Sequence, residues 1–197
     1  GQAYENVSDY SLAFNNYEKA LRLFQSIDAI DGESVSTFKI AKTYHLRKDY
    51  DQALKYYERC LKLSRAARKA RTEVNALIEI AKIYALQGRH DLAAKQYRVV
   101  EKFYESIRDQ RGRAVALNSY GDFLFRQKQT QPALDAYRRA LPLSEKVGDK
   151  GILITTLYNL ARANLALGRP EVALRFIKRS LHIIEDLHVN VASPEFH

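Results

Sequence analysis

The sequence repeats itself at intervals of forty residues, and this period constrains the fold more than any other feature of the chain. One place in every interval is alanine: Ala13, Ala53, Ala93, Ala133 and Ala173. The fourth residue after each alanine is tyrosine in all but the last interval: Tyr17, Tyr57, Tyr97, Tyr137 and Ile177. A third column contains only glycine and alanine: Gly1, Ala41, Ala81, Gly121 and Ala161. Such periods are typical of arrays in which each unit packs on its neighbours.

Each interval contains two segments with the period of an amphipathic helix. Apolar residues recur there at spacings of three and four, as with Ala41 and Tyr44 in one segment and Tyr57 and Leu61 in the next. We expect glycine to end one helix and Pro170 to open another. The predicted helices are 10–28, 34–47, 51–69, 71–87, 90–108, 111–127, 131–147, 150–168 and 170–187.

The alanine and glycine columns place a small residue in both helices of each pair, as with Ala41 and Ala53. Two helices approach to about 8 Å only where a side chain at the crossing is small. This pattern of two small residues followed by an aromatic resembles the tetratricopeptide repeat family, over residues 1 to about 187. The resemblance implies an all-α fold, a right-handed superhelical solenoid of antiparallel helix pairs.

HEAT and armadillo arrays are the alternative, because their period of about 40 to 47 residues fits the interval. Those families lack the small residue in both helices and the tyrosine columns, so we favour the tetratricopeptide interpretation. It predicts one solenoid over residues 1–187, with a truncated repeat at 1–33, repeats at 34–69, 70–109, 110–149 and 150–187, and a tail or linker at 188–197.

Few residues could support catalysis or bind a metal. Cys60 is the only cysteine and occupies a small-residue column, which favours a buried structural thiol. The histidines fall at unrelated repeat positions: His45, His90, His182, His188 and His197. The glycines are turn residues and form no phosphate-binding loop. We therefore expect no enzyme, no metal site and no cofactor.

The composition favours a cytoplasmic protein or a soluble part of a larger one. No apolar run approaches the roughly 20 residues that a membrane span needs, and the first residues do not resemble a signal peptide. A single cysteine fits a reducing compartment. The chain has no methionine and so cannot begin at its own start codon, from which we expect a fragment of a longer protein.

In the tetratricopeptide family, one face of the first helix of each repeat lines a concave groove that holds extended peptides or partner helices. The second, fifth, ninth and twelfth places of that helix share the face. The resemblance implies these candidate groove residues: Phe38, Lys42, Asn75, Ile78, Lys82, Asn118, Asp122, Tyr158 and Arg162. The family's chaperone-tail readers use lysine and asparagine at places five and nine, a pair that no repeat has here.

The net charge of +9 fits either an ordinary solvated surface, since the basic residues are spread along the chain, or an acidic protein or peptide as the partner. Nucleic-acid binding is the weaker alternative, because the aromatic residues lie in the repeat columns and are not interleaved with lysines. The last predicted helix carries an apolar stripe that no later predicted helix covers: Leu174, Ile177, Leu181, Ile184 and Leu187. We therefore expect the terminal helices to pack against another copy of the chain, as self-association, or against the tail at 188–197.

The segments at 140–151, 157–174 and 180–195 resemble bacterial proteins in which such repeats precede a CHAT domain, a caspase-like module. The resemblance implies a recognition or regulatory part attached to a C-terminal effector. A free-standing adaptor of the motor-cargo or polarity type, with repeats of similar length, is the alternative.

Overall fold

The computed structural model describes the backbone of residues 2–192 and the side chains of residues 10–187. Over residues 2–192 it contains helices and no strand, which confirms the all-α class. The helices are α1 (Gln2–Ser26), α2 (Ile30–Leu46), α3 (Tyr50–Ala66), α4 (Ala70–Leu86), α5 (His90–Ser106), α6 (Gln110–Arg126), α7 (Thr130–Val147), α8 (Lys150–Ala166) and α9 (Pro170–Ala192).

Most helix ends lie within three residues of the predicted ones, and the exceptions are the starts of the first two helices and the end of the last one. The predicted start at residue 34 is wrong, because α2 begins at Ile30 directly after a tight turn. The helix predicted to begin at residue 10 begins at Gln2, and α9 continues to Ala192 into the segment predicted as a tail. Residue 1 of the predicted solenoid and residues 193–197 of the predicted tail lie outside the described residues.

The turns between helices share one backbone geometry. A residue in the left-handed region stands at every turn: Asp28, Lys48, Arg68, Gly88, Arg108, Lys128, Gly148 and Gly168. In most of them the next N–H donates to the carbonyl five residues back, as from Asp49 to Tyr44 (3.0 Å) and from Arg89 to Tyr84 (2.8 Å). This arrangement closes a helix end and lets the next helix begin at once. Glycine ends helices as predicted at three turns, whereas five turns use side chains that disfavour this conformation by about 1–2 kcal/mol.

The described residues form two compact units, the N-terminal unit up to Val99 and the C-terminal unit from Val100 onward. In the N-terminal unit α2 packs against α1, α3 and α4, and α3 packs against α4. In the C-terminal unit α6 packs against α7 and α8, and α8 packs against α7 and α9. A single solenoid over residues 1–187, and its repeat boundaries, stay predictions.

The small and aromatic columns form the core of each unit. Ala41, Ala53 and Tyr57 are fully buried in one cluster of the N-terminal unit. In the C-terminal unit a Cβ atom built on Gly121 would lie 2.3 Å from Cε1 of Tyr137. The tyrosine ring therefore rests directly on the glycine backbone, as the small-residue argument predicts. None of the helices within the described residues combines the length and apolar character that crossing a bilayer requires.

Candidate functional site

The candidate groove residues lie on two helix faces, one in each unit. The N-terminal face is formed by α2 and α4, which contact each other, and consists of Val35, Phe38, Lys42, His45, Asn75, Ile78, Lys82 and Ala85. The C-terminal face is formed by α6 and α8, which also contact each other, and consists of Val115, Asn118, Asp122, Phe125, Thr155, Tyr158, Arg162 and Leu165.

The N-terminal face combines apolar side chains with two exposed lysines. Phe38 and Ile78 are half-buried, and the Phe38 ring meets the Tyr57 ring edge-on at 5.5 Å between centroids. Lys42 and Asn75 are exposed, and within the described residues Lys42 makes no ion pair. This face can therefore offer apolar contact, an amide and a positive charge to a ligand.

Glu79 lies beside the N-terminal face. The sequence argument missed it because it follows Ile78 directly and so lies off the face formed by the second, fifth, ninth and twelfth places of the repeat. Its carboxylate contacts Nδ1 of His45 (3.1 Å) and accepts a hydrogen bond from Nζ of Lys82 (2.7 Å). Burial alone would raise the pKa of Glu79, but the bonds from His45 and Lys82 outweigh it and lower that pKa to about 2. The Glu79–Lys82 spacing of three on one helix is the signal that could have found this pair.

Tyr57 contributes a second polar group that sequence reasoning assigned to the core alone. The residue is fully buried, yet its hydroxyl has no hydrogen-bond partner within the described residues. Burial, followed by the nearby Glu79 carboxylate, raises the pKa of this hydroxyl, so it remains a donor at neutral pH. Buried hydroxyl groups are rarely left unpaired, because each costs about 1–3 kcal/mol.

On the C-terminal face, the buried polar groups around Asn118 form hydrogen bonds with one another. Asn118 is buried, and its amide donates to Oγ1 of Thr156 (2.8 Å) and to the carbonyl of Ala114 (3.2 Å). Its oxygen accepts from Nδ2 of Asn159 (3.3 Å), and the Thr156 hydroxyl also bonds Oγ of Ser144 (2.9 Å). Asn118, a candidate groove residue, is therefore not free to bind a ligand, since its polar atoms already have partners within the C-terminal unit.

Asp122 and Arg162 on the same face also bind each other. The Asp122 carboxylate accepts hydrogen bonds from the Arg162 guanidinium and from the Tyr137 hydroxyl (2.9 Å), and the guanidinium also donates to that hydroxyl (3.0 Å). The guanidinium lies 4.4 Å from the Phe125 ring centroid and 5.7 Å from that of Tyr158. Tyr158 itself is 59% exposed and is the candidate here that keeps a large free surface.

An open cavity of about 320 Å³ lies between α6 and the start of α8, lined in part by Val115, Asp122 and Thr155. Asp149 also lines it, caps α8 through the Ile152 N–H (3.1 Å) and pairs with Arg111 (2.8 Å). The bonds from Arg111 and from the Ile152 N–H lower the pKa of Asp149. Both carboxylates of this cavity are thus already neutralised by arginines.

The remaining reactive group, Cys60, is unsuited to nucleophilic chemistry. It is fully buried, its thiol approaches the Ser34 carbonyl at 3.4 Å, and burial raises its pKa to about 12. The thiol is therefore protonated at neutral pH. No group of three or more potential metal ligands occurs among the residues that the structure describes.

Solved structures with the same fold include repeat proteins of several kinds. BtubC (BKLC) from P. vanneervenii is 19% identical with a TM-score of 0.80, over 98% of this chain and 78% of that one. The repeats of a putative kinesin light chain from Podosopora anserina are 14% identical with a TM-score of 0.72, over 95% and 92%. A Rap protein complexed with Competence and Sporulation Factor is 16% identical with a TM-score of 0.69, over 92% of this chain and 51% of that protein.

No curated protein matches the sequence significantly. The family described as the tetratricopeptide repeat matches residues 1–66, 33–106 and 112–186. These segments span most of the chain and include both helix faces. The chain therefore belongs to the tetratricopeptide repeat family.

Proposed function

We propose that this chain is a protein-interaction module whose N-terminal face binds a peptide or helix through an acidic side chain. The observation that carries the proposal is the buried Tyr57 hydroxyl, which lacks a partner in a region with two exposed lysines. A carboxylate from a ligand would supply the missing acceptor once the side chains over this hydroxyl move aside, and it would offset the positive charge of Lys42.

The C-terminal unit provides an internal template for this interaction. Tyr137 stands eighty residues after Tyr57, and its hydroxyl donates to the Asp122 carboxylate, which also binds Arg162. At the same offset, Lys42 stands in place of Asp122 and Lys82 in place of Arg162. The N-terminal unit thus keeps the tyrosine and the cation but has no carboxylate at the ninth place, so the acceptor would come from a partner.

Neighbouring side chains would supply the rest of the contact. Phe38 and Ile78 are half-buried and offer apolar surface beside Lys42, while exposed Asn75 can donate to and accept from a peptide backbone. Glu79 forms an ion pair with Lys82 but not with Lys42, so these three residues together keep a net positive charge. An acidic residue flanked by apolar ones fits this arrangement better than a basic peptide or a nucleic acid.

On the C-terminal face, exposed Tyr158 and the cavity beside Asp122 offer a separate surface for a ligand of that unit. Asn118 and Arg162 would act there indirectly, by holding α6 and α8 in place. The Rap protein, complexed with Competence and Sporulation Factor, has the same fold and is consistent with ligand recognition.

Selection from a random peptide library tests the proposal directly. The unmodified chain should enrich peptides that combine apolar residues with aspartate or glutamate, and the double variant Lys42→Glu, Lys82→Glu should lose that enrichment. Lys95→Glu, an exposed lysine on α5, is the matched control and should select as the unmodified chain does. Enrichment of peptides without acidic residues, or enrichment that survives the double charge reversal, would show the proposed ligand to be wrong.

We also propose that the module is the recognition or regulatory part of a protein with a C-terminal CHAT effector. The support is the sequence of residues 180–195, and its end lies outside the described residues. The alternative is a free-standing adaptor of the motor-cargo type, which the structural likeness to kinesin light chain repeats favours. Sequencing the gene beyond the codon for His197 separates them, because the first requires a caspase-like domain and the second does not.

A further inference from the structure

Helix α9 presents an apolar stripe that no helix covers within the described residues. Leu174 and Leu181 are each 50% exposed, and Ile177 and Ile184 are half-buried. Forty residues earlier, where α8 packs on α7, the residues that correspond to Leu174 and Ile177 are completely buried: Leu134 and Tyr137. The stripe thus has the pattern of an interface, with spacings of three and four that keep it on one side of the helix.

Two opposite charges flank this stripe on the same side. Lys178 and Glu185 are seven residues apart, both are exposed, and neither makes an ion pair with any residue that the structure describes. Their neighbour Arg179, in contrast, pairs with Glu145 at 2.7 Å. In a helix pair with heptad spacing, these two positions lie beside the seam, where charges select the partner and its direction.

We propose that α9 binds the α9 of a second copy of this chain in an antiparallel pair. Antiparallel packing reverses the residue order, so Lys178 of each copy meets Glu185 of the other and the ion pair forms twice. Leu181 packs near Ile184 of the second copy, which places the exposed leucine at the centre of the seam. In a parallel pair these residues of the two copies would lie on opposite edges of the seam and neither ion pair could form, so the charges favour the antiparallel direction.

This pairing is independent of the ligand proposed for the N-terminal face. It uses residues of the C-terminal unit alone, and neither Lys178 nor Glu185 belongs to either candidate face. A single helix pair is a small interface, so we expect a reversible, concentration-dependent dimer and not a permanent one.

Sedimentation equilibrium of the chain and its charge variants tests the pairing. Each of Lys178→Glu and Glu185→Lys should weaken the dimer by roughly tenfold, because each replaces two attractions with two repulsions. The double variant Lys178→Glu, Glu185→Lys should restore it. Leu181→Lys should abolish it, and Lys146→Glu, an exposed lysine on α7, should leave it unchanged.

Circular dichroism of every variant establishes that the helices are intact, so a failure to fold is distinguished from a failure to pair. A chain that stays monomeric at all concentrations overturns the proposal. A dimer that the double variant does not restore overturns the antiparallel arrangement, since some other surface would then hold the copies together.

Discussion

The two units differ in how they treat equivalent positions eighty residues apart. In the C-terminal unit Asn118 is buried and bonded to Thr156, while the N-terminal unit has Phe38 and Ala76 at those positions. Asp122 of the C-terminal unit is replaced by Lys42. The same helix positions thus form an internally bonded polar cluster in one unit and an apolar, positively charged surface in the other.

This difference shows that a residue's position in a repeat does not by itself make that residue available to a ligand. On the C-terminal face the Tyr137 hydroxyl and the Arg162 guanidinium both bind Asp122, while Nε of Arg162 has no partner within the described residues. The N-terminal face leaves the equivalent Tyr57 hydroxyl without a partner within the described residues. Our proposal therefore assigns partner binding to the N-terminal face and a structural role to the bonded side chains of the C-terminal face.

Removing Asn118 should have the largest effect on stability. Asn118→Ala leaves the Asn159 amide buried without its acceptor and takes a donor from Thr156, so we expect a loss of about 3 kcal/mol in the free energy of unfolding. Asn75→Ala, which removes an exposed asparagine side chain of α4, should change it by less than about 0.5 kcal/mol. Urea unfolding measures the free energy of unfolding of both variants. A loss for Asn118→Ala as small as the loss for Asn75→Ala would mean that the hydrogen bonds of Asn118 do not stabilise the fold.

A pH dependence should distinguish the N-terminal unit. The pKa of Glu79 falls from an ordinary 4.5 to about 2, so the stability it adds is present above pH 4.5 and is lost as the pH falls toward 2. Glu79→Gln should therefore cost about 2 kcal/mol at neutral pH. The difference between variant and unmodified chain should shrink through that acid range in thermal unfolding. A constant difference at every pH would contradict the assignment.

The sequence was sufficient for the helices and their crossings, because burial at a helix contact imposes residue size directly. Ala53 and Tyr137 could be assigned to the core from their columns alone, and both are fully buried. The positive-φ turns at Lys48 and Arg68 could not be predicted, since their residue types do not favour that conformation. Hydrogen bonding in the fold overrides the local preference there.

The candidate site was predicted only in outline. Spacing on a helix gave the face that carries Lys42 and Ile78, but it could not tell that Asn118 turns its amide toward Thr156. That choice depends on a side chain of another helix thirty-eight residues away. Glu79 and the Tyr57 hydroxyl were missed for the same reason. The role of Glu79 depends on its contact with His45 of another helix, and that of the Tyr57 hydroxyl depends on its having no partner within the described residues.

The central claim is that the Tyr57 hydroxyl faces the place where an acidic ligand side chain binds. A double-mutant cycle in the Lys82→Arg background tests it by combining Lys42→Asp with Tyr57→Phe, since the first change installs the carboxylate that the C-terminal unit has at Asp122. The account predicts that Lys42→Asp stabilises the chain only when the hydroxyl is present, with a coupling free energy of about 1 kcal/mol. A coupling near zero would contradict it, because the hydroxyl would then not point toward that place.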